Sequence, residues 1–150
     1  MTDTPGTSPQ VTPKHLWVVG IVALLWNAVG AMDYVMTQTR NEAYVSQFTP
    51  EQLAFFYGFP TWVVAAWAIA VWAGVLGAAL LLLRKRLAVP VFLVSLVAMV
   101  IATFHNYVLS DGMEVMGKDA MALGFTVVIF LVAIALILYA RAMQKRGTLA

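Results

Sequence analysis

Cysteine is absent from the 150 residues, and with it go disulfides, thiolate metal ligands, iron–sulfur clusters and a thiol nucleophile. Charge is scarce as well. Asp, Glu, Lys and Arg make up 11% of the chain, where a soluble domain carries about 25%. So few charges cannot dress the surface of a water-soluble fold. No GxGxxG, P-loop, HExxH or GxSxG segment occurs, which removes the common signatures for dinucleotides, phosphates, catalytic zinc and serine hydrolysis. No catalytic residue, cofactor or metal is therefore assigned, and the chain is not expected to be an enzyme. A Met-Gly start and a C-terminal prenylation Cys are missing too, so lipid anchoring is not expected. The first dozen residues lack the basic patch of a cleavable signal peptide, and the first apolar run reads as an uncleaved anchor.

What the chain has instead is apolar length. Hydrophobic residues account for 62% of it, and the mean hydropathy is +0.86. Apolar runs cover about 16–36, 60–83, 87–109 and 121–140. At 1.5 Å per helical residue, each is long enough to cross a hydrocarbon layer of about 30 Å. Lipid offers the backbone no hydrogen bonds, so helices are the expected form. Short connections between spans two, three and four predict antiparallel neighbours. The expected fold is an all-α membrane protein, an antiparallel up-and-down bundle of four transmembrane helices over 14–146. Residues 1–13, rich in Thr, Pro, Ser and Gly, read as a disordered tail. Residues 147–150 read as a second short tail.

Charge sets the direction of insertion. Lys14, Arg84, Lys85, Arg86, Arg141, Lys145 and Arg146 fall on one side of the four runs, and only Arg40 and Lys118 on the other. Under the positive-inside rule both termini are expected in the cytoplasm, in a multi-pass protein of the bacterial inner membrane. Glu42, Glu51, Asp111, Glu114 and Asp119 collect on the opposite, outer side. Basic residues sorted by membrane side form no groove for nucleic acid; the expected partners are the lipid bilayer, a second copy of the chain and a small polar solute.

Between the first two runs lies QFTPEQLAFFYGFP, residues 47–60. Thr49 suits an N-cap, Pro50 the first helical position, Gln52 the third residue of a capping box, and Gly58 with Pro60 the stop. A short amphipathic helix is predicted on the outer surface. Its aromatic residues suit either an anchor among headgroups or a lid over the mouth of the bundle.

Few residues within the spans are polar enough to suggest a site. Span one carries Asn27, Asp33 and Tyr34; span three ends in Thr103, His105, Asn106 and Tyr107. An intramembrane carboxylate costs a few kcal/mol and so faces protein or water. Asp33 and His105 each lie on the order of 5 Å inside the outer end of their spans, at one level where they can meet. Asn27, Asp33, Tyr34, His105, Asn106 and Tyr107 are accordingly the candidate solute or proton site. The simpler expectation is that these groups satisfy one another and join spans one and three. In span two, Ala66, Ala70, Gly74 and Ala78 recur every fourth place, a stripe that lets helices approach closely. Trp67 and Trp72 are too deep to be interface anchors and must face lipid, a neighbour or a solute.

The run LLWNAVGAMDYVMTQTRNEAYVSQFTPEQLAFFYGFPTWVVAAWAIAVW, with LLLLRKR and VLSD further on, resembles a family of small four-helix bacterial inner-membrane proteins labelled sugar transporters or hypothetical membrane proteins. The resemblance covers Trp17 to Arg146 and is most specific over 24–60. It implies a transport role and carries over no site residues. Two functions stay open: a small-solute or proton-linked permease acting as an oligomer, and a membrane accessory protein that binds a partner through its helix faces. Orientation has a direct test. A reporter fused after Ala150 should be active only in a cytoplasmic format; activity in a periplasmic format reverses the topology.

Overall fold

A computed structural model describes residues 11–110, 112–115 and 120–150. Of the tail expected over 1–13, residues 1–10 lie outside the described residues, as do the charges of Asp111, Lys118 and Asp119, whereas Thr12 accepts a hydrogen bond from the Arg84 guanidinium at 2.8 Å. All regular structure among the described residues is helical. Helix α1 spans Lys14–Gln38, α2 Glu42–Val45, α3 Pro50–Tyr57 and α4 Thr61–Leu82. Helix α5, Ala88–Phe104, runs into a π-helical segment, His105–Leu109. A short α6, Gly112–Val115, precedes α7, Ala120–Lys145. Helices α1, α4, α7 and the continuous Ala88–Leu109 are long and apolar enough to cross a membrane. The chain is an all-α integral membrane protein of the expected up-and-down kind.

Helix ends fall where backbone chemistry puts them. Helices α1, α4 and α7 stop at a left-handed residue, Arg40 (φ 54°), Arg84 (φ 57°) and Gly147 (φ 76°). In each case the next amide closes the end: Asn41 N–H donates to the Met36 carbonyl at 3.0 Å, Lys85 N–H to Leu80 at 2.9 Å and Thr148 N–H to Met143 at 3.0 Å. This closure satisfies carbonyls that the helix leaves open. Two of the three reversals use arginine, whose charge suits a helix C-terminus. Helix α7 runs five residues past the expected Ala140 because its last turn, with Arg141 and Lys145, continues beyond the apolar stretch.

Helix α4 is the centre of the bundle, packed between α1 and α5, while α7 leans on α5. The small stripe is the reason. Ala66, Ala70, Gly74 and Ala78 are all buried. A side chain at Gly74 would overlap the amide of Asn27 on α1, and one at Gly77 would overlap the ring of Phe92 on α5. The stripe therefore packs helices, as expected.

At the end of the bundle that carries Arg84, Lys85 and Arg86, an apolar core closes the interior. Leu16, Leu81, Val89, Ile137, Ala140 and Met143 belong to it. The final residues, expected as a free tail, pack back onto this core: Leu149 is fully buried. Ala150 N–H donates to the Arg84 carbonyl at 2.9 Å, and Arg86 N–H to the Ala150 carbonyl at 3.2 Å. One apolar residue following the glycine reversal explains the difference.

Because Gly74 admits the Asn27 side chain, Gly74→Val should lower stability by about 1–3 kcal/mol through overpacking. Gly124→Ala, where an added Cβ meets no atom within 4 Å, should stay within about 0.5 kcal/mol. Thermal unfolding of the two variants in a lipid-like detergent checks the contrast; equal losses would mean that Gly74 does not set the α1–α4 spacing.

Candidate functional site

Opposite the apolar core the four long helices part and enclose a cavity of about 570 Å³. Helix α1 contributes Asn27, Gly30, Asp33 and Thr37, spaced three or four apart so that they follow one side of the helix. Helix α4 adds Trp67 and Ala70, α5 adds Ser95, Met99 and Thr103, and α7 adds Phe125, Thr126 and Phe130. Asn106 and Tyr107 enter from the π-helical segment. The roof comes from the chain between α1 and α4, with Tyr44, Gln47, Phe48, Phe56 and Phe59.

The roof is built from local rules. Asn41 caps α2 by accepting the Tyr44 amide at 3.1 Å. Thr49 and Gln52 form the reciprocal capping box of α3, both bonds at 3.1 Å. The aromatic rings then interlock edge to face: Phe48 and Phe56 have centroids 5.4 Å apart at 81°, Phe55 and Phe59 5.1 Å at 80°. Such T-shaped pairs match ring edge to ring face. Phe56 and Phe59 of this segment line the cavity.

Asp33 accepts a short hydrogen bond from the Tyr44 hydroxyl. Burial, followed by that hydrogen bond and the nearby carboxylate charge, pushes the Tyr44 phenol up to about 12, against a smaller opposing effect of Gln47. The phenol thus stays a donor at any physiological pH, and Asp33 is held by the roof. Three other polar side chains each donate a hydrogen to a backbone carbonyl. Asn27 Nδ2 donates to Ala23 at 2.8 Å, Ser95 Oγ to Ala70 at 2.6 Å and Thr126 Oγ1 to Ala122 at 3.0 Å. The polar side of the cavity thus carries amide and hydroxyl groups of both donor and acceptor character, with Asn106, Thr103 and Gln47 beside these three.

Of the six residues singled out from the sequence, Asn27, Asp33, Asn106 and Tyr107 line the cavity. Tyr34 turns aside and packs edge-on against Trp67, centroids 5.0 Å apart at 87°. His105 does not join Asp33. It is 8% exposed, set perpendicular to the rings of Trp62 and Phe59 at 5.2 and 5.8 Å. Its Nδ1 lies 3.4 Å from the Asn106 amide oxygen. The π-helical segment accounts for this: a wider turn changes the angular order of His105, Asn106 and Tyr107 relative to an α-helix. The Ser110 hydroxyl takes up carbonyls of His105 and Asn106 at 3.0 and 3.1 Å.

Sequence reasoning missed Tyr44, Gln47, Ser95 and Thr126. The last two had a signal in the sequence, since each is a hydroxyl set among apolar neighbours inside a span. Trp67 lines the cavity, whereas Trp72, 48% exposed, faces the lipid. A wholly apolar groove between α1 and α7, with Val18 and Val22, shares Trp26, Val132 and Leu136 with the cavity. The cavity thereby adjoins the lipid-facing side of the bundle. No family model, curated protein or solved structure matches the chain.

If the Asp33 charge helps hold the Tyr44 phenol neutral, Asp33→Asn should let it ionise at a lower pH than the wild type's value of about 12. Ultraviolet difference titration of each protein against its Tyr44→Phe counterpart isolates the signal. An unmoved titration would leave burial as the whole cause.

Proposed function

We propose that the chain is a small-solute permease of the bacterial inner membrane, working as an oligomer, with both termini in the cytoplasm and the aromatic roof facing outward. The cavity is the observation that supports this. Its volume of about 570 Å³ falls within the roughly 300–1,000 Å³ of small-molecule sites. It draws walls from all four spans and holds the one carboxylate of the long helices. A roof tied to α1 by the Asp33–Tyr44 hydrogen bond suits a gate, and the apolar core at the basic end suits the opposing barrier. One chain of four helices offers few surfaces that can rock against each other, and repeated bundles supply them in small transporters.

Apolar and aromatic walls bear on the solute. A sugar-like guest, which the family resemblance implies, needs hydrogen-bond partners over most of its surface. Rings of Trp26, Trp67, Phe92, Phe125 and Phe130 occupy those positions here. An amphipathic solute is the better match, and the adjoining lipid-facing groove gives it a second approach.

Since the chain has no cysteine, single-cysteine variants report without background. Ser95→Cys and Thr126→Cys should react with a membrane-impermeant methanethiosulfonate on the order of 100-fold faster than Trp72→Cys, because only a thiol that water reaches ionises readily. Reaction no faster than the lipid-facing control would remove the permease and leave the accessory role.

A further inference from the structure

Proceeding from the permease reading, the cavity's chemistry narrows its guest. Among the described residues that line the cavity, Asp33 is the only acidic one and none is Lys, Arg or His. Arg40, the basic residue of the roof, is held instead over the ring of Tyr57 at 4.2 Å. Near the carboxylate stands an aromatic wall, in which Phe59 meets Trp67 at 6.4 Å and Tyr44 meets Phe48 at 5.9 Å. The hydrogens of Ser95, Thr126 and Tyr44 are committed to acceptors within the protein. The cavity therefore sets one acidic side chain beside ring faces, with amide and hydroxyl groups around it.

We infer that the cavity takes an amphipathic organic cation, an ammonium head joined to an aromatic or alkyl body, with the head at Asp33 and the body between α1, α5 and α7. A cation leaving water is compensated by the carboxylate in a low-dielectric site and by the quadrupoles of the surrounding rings. The same site opposes an anion through Asp33. Its mostly apolar and aromatic walls leave much of a neutral sugar's surface without hydrogen-bond partners. The apolar body fits the walls, and the groove beside Val18 and Val22 suits a guest already dissolved in lipid. Binding also competes for the carboxylate that Tyr44 holds, so an occupied site loosens the tie between α1 and the roof.

The test uses the full chain in vesicles, with Thr126→Cys labelling as the readout. Three probes of similar size are compared: benzyltrimethylammonium, benzenesulfonate and glucose. The cation should slow labelling about tenfold near saturation, an occupancy effect that corresponds to about 1.4 kcal/mol, and the other two should leave it unchanged. Adding Asp33→Asn, which keeps the shape and an acceptor for Tyr44, should abolish protection. Adding Tyr44→Phe, which frees the carboxylate, should strengthen it. Protection by glucose or benzenesulfonate, equal protection by all three, or loss of protection in Tyr44→Phe to the same extent as in Asp33→Asn would overturn the cation assignment. Labelling that persists with no protection by the cation would overturn it also, while leaving a water-reached cavity and the permease intact. Absence of labelling without any probe would instead remove the permease itself.

Discussion

A carboxylate inside a membrane helix must find compensation within the protein, and much of this structure follows from how Asp33 finds it. Asp33 is partly buried, and among the described residues no Lys, Arg or His lines its cavity. The partner is Tyr44, eleven residues further along the chain. To deliver that hydroxyl, the chain must turn back immediately after α1, which it does at left-handed Arg40. It must then hold a new helical turn in place, which the Asn41 cap does. A charge that costs a few kcal/mol in lipid thus organises the loop that covers it.

The opposite requirement shapes α4. A stripe of small residues brings α1 and α5 against it closely enough for Asn27 to lie over Gly74 and Phe92 over Gly77. Helix α7 has no such stripe facing α4. It reaches α1 through long side chains, Trp26 to Phe125 with centroids 6.0 Å apart and His15 to Tyr139 at 2.5 Å. Close contact on one side and reach across the other leave a space at the roofed end. At the basic end Leu136, Ile137 and Met143 fill that space. The cavity results from where α7 carries bulk and where it carries Thr126 and Ala133.

Roof and floor differ in a way that matters for gating. The floor is a contiguous apolar core, sealed further by Leu149, whose opening would expose surface to water at about 25 cal/mol per Å². The roof is a set of edge-to-face rings on two short capped helices, tied to α1 through Asp33. It is the part of the molecule that a charged guest can influence directly, because its tie and the guest's counter-charge are the same carboxylate.

Several features were readable one residue at a time. Four spans follow from apolar runs, the α3 boundaries from the order Thr49, Pro50, Gln52 and Gly58, and the α4 packing face from its four-residue repeat. These depend on local chemistry or on one helix meeting lipid, so the sequence alone determined them. It also identified Asp33 as costly, since that depends only on depth. What only the tertiary structure decided was which group answers that cost. Asp33 and His105 share a level, but level along a helix says nothing of direction around it. A π-helical turn, stabilised by Ser110 and by the close approach that Gly112 allows to the Asn106 carbonyl, aims His105 at Trp62 and Phe59. Tyr44 lies on the short helix α2, whose position depends on a backbone reversal at Arg40 with no glycine to announce it. Ser95 and Thr126 share one cavity with Asp33 only because four helices settle at unequal distances, and those distances come from side chains packing against side chains.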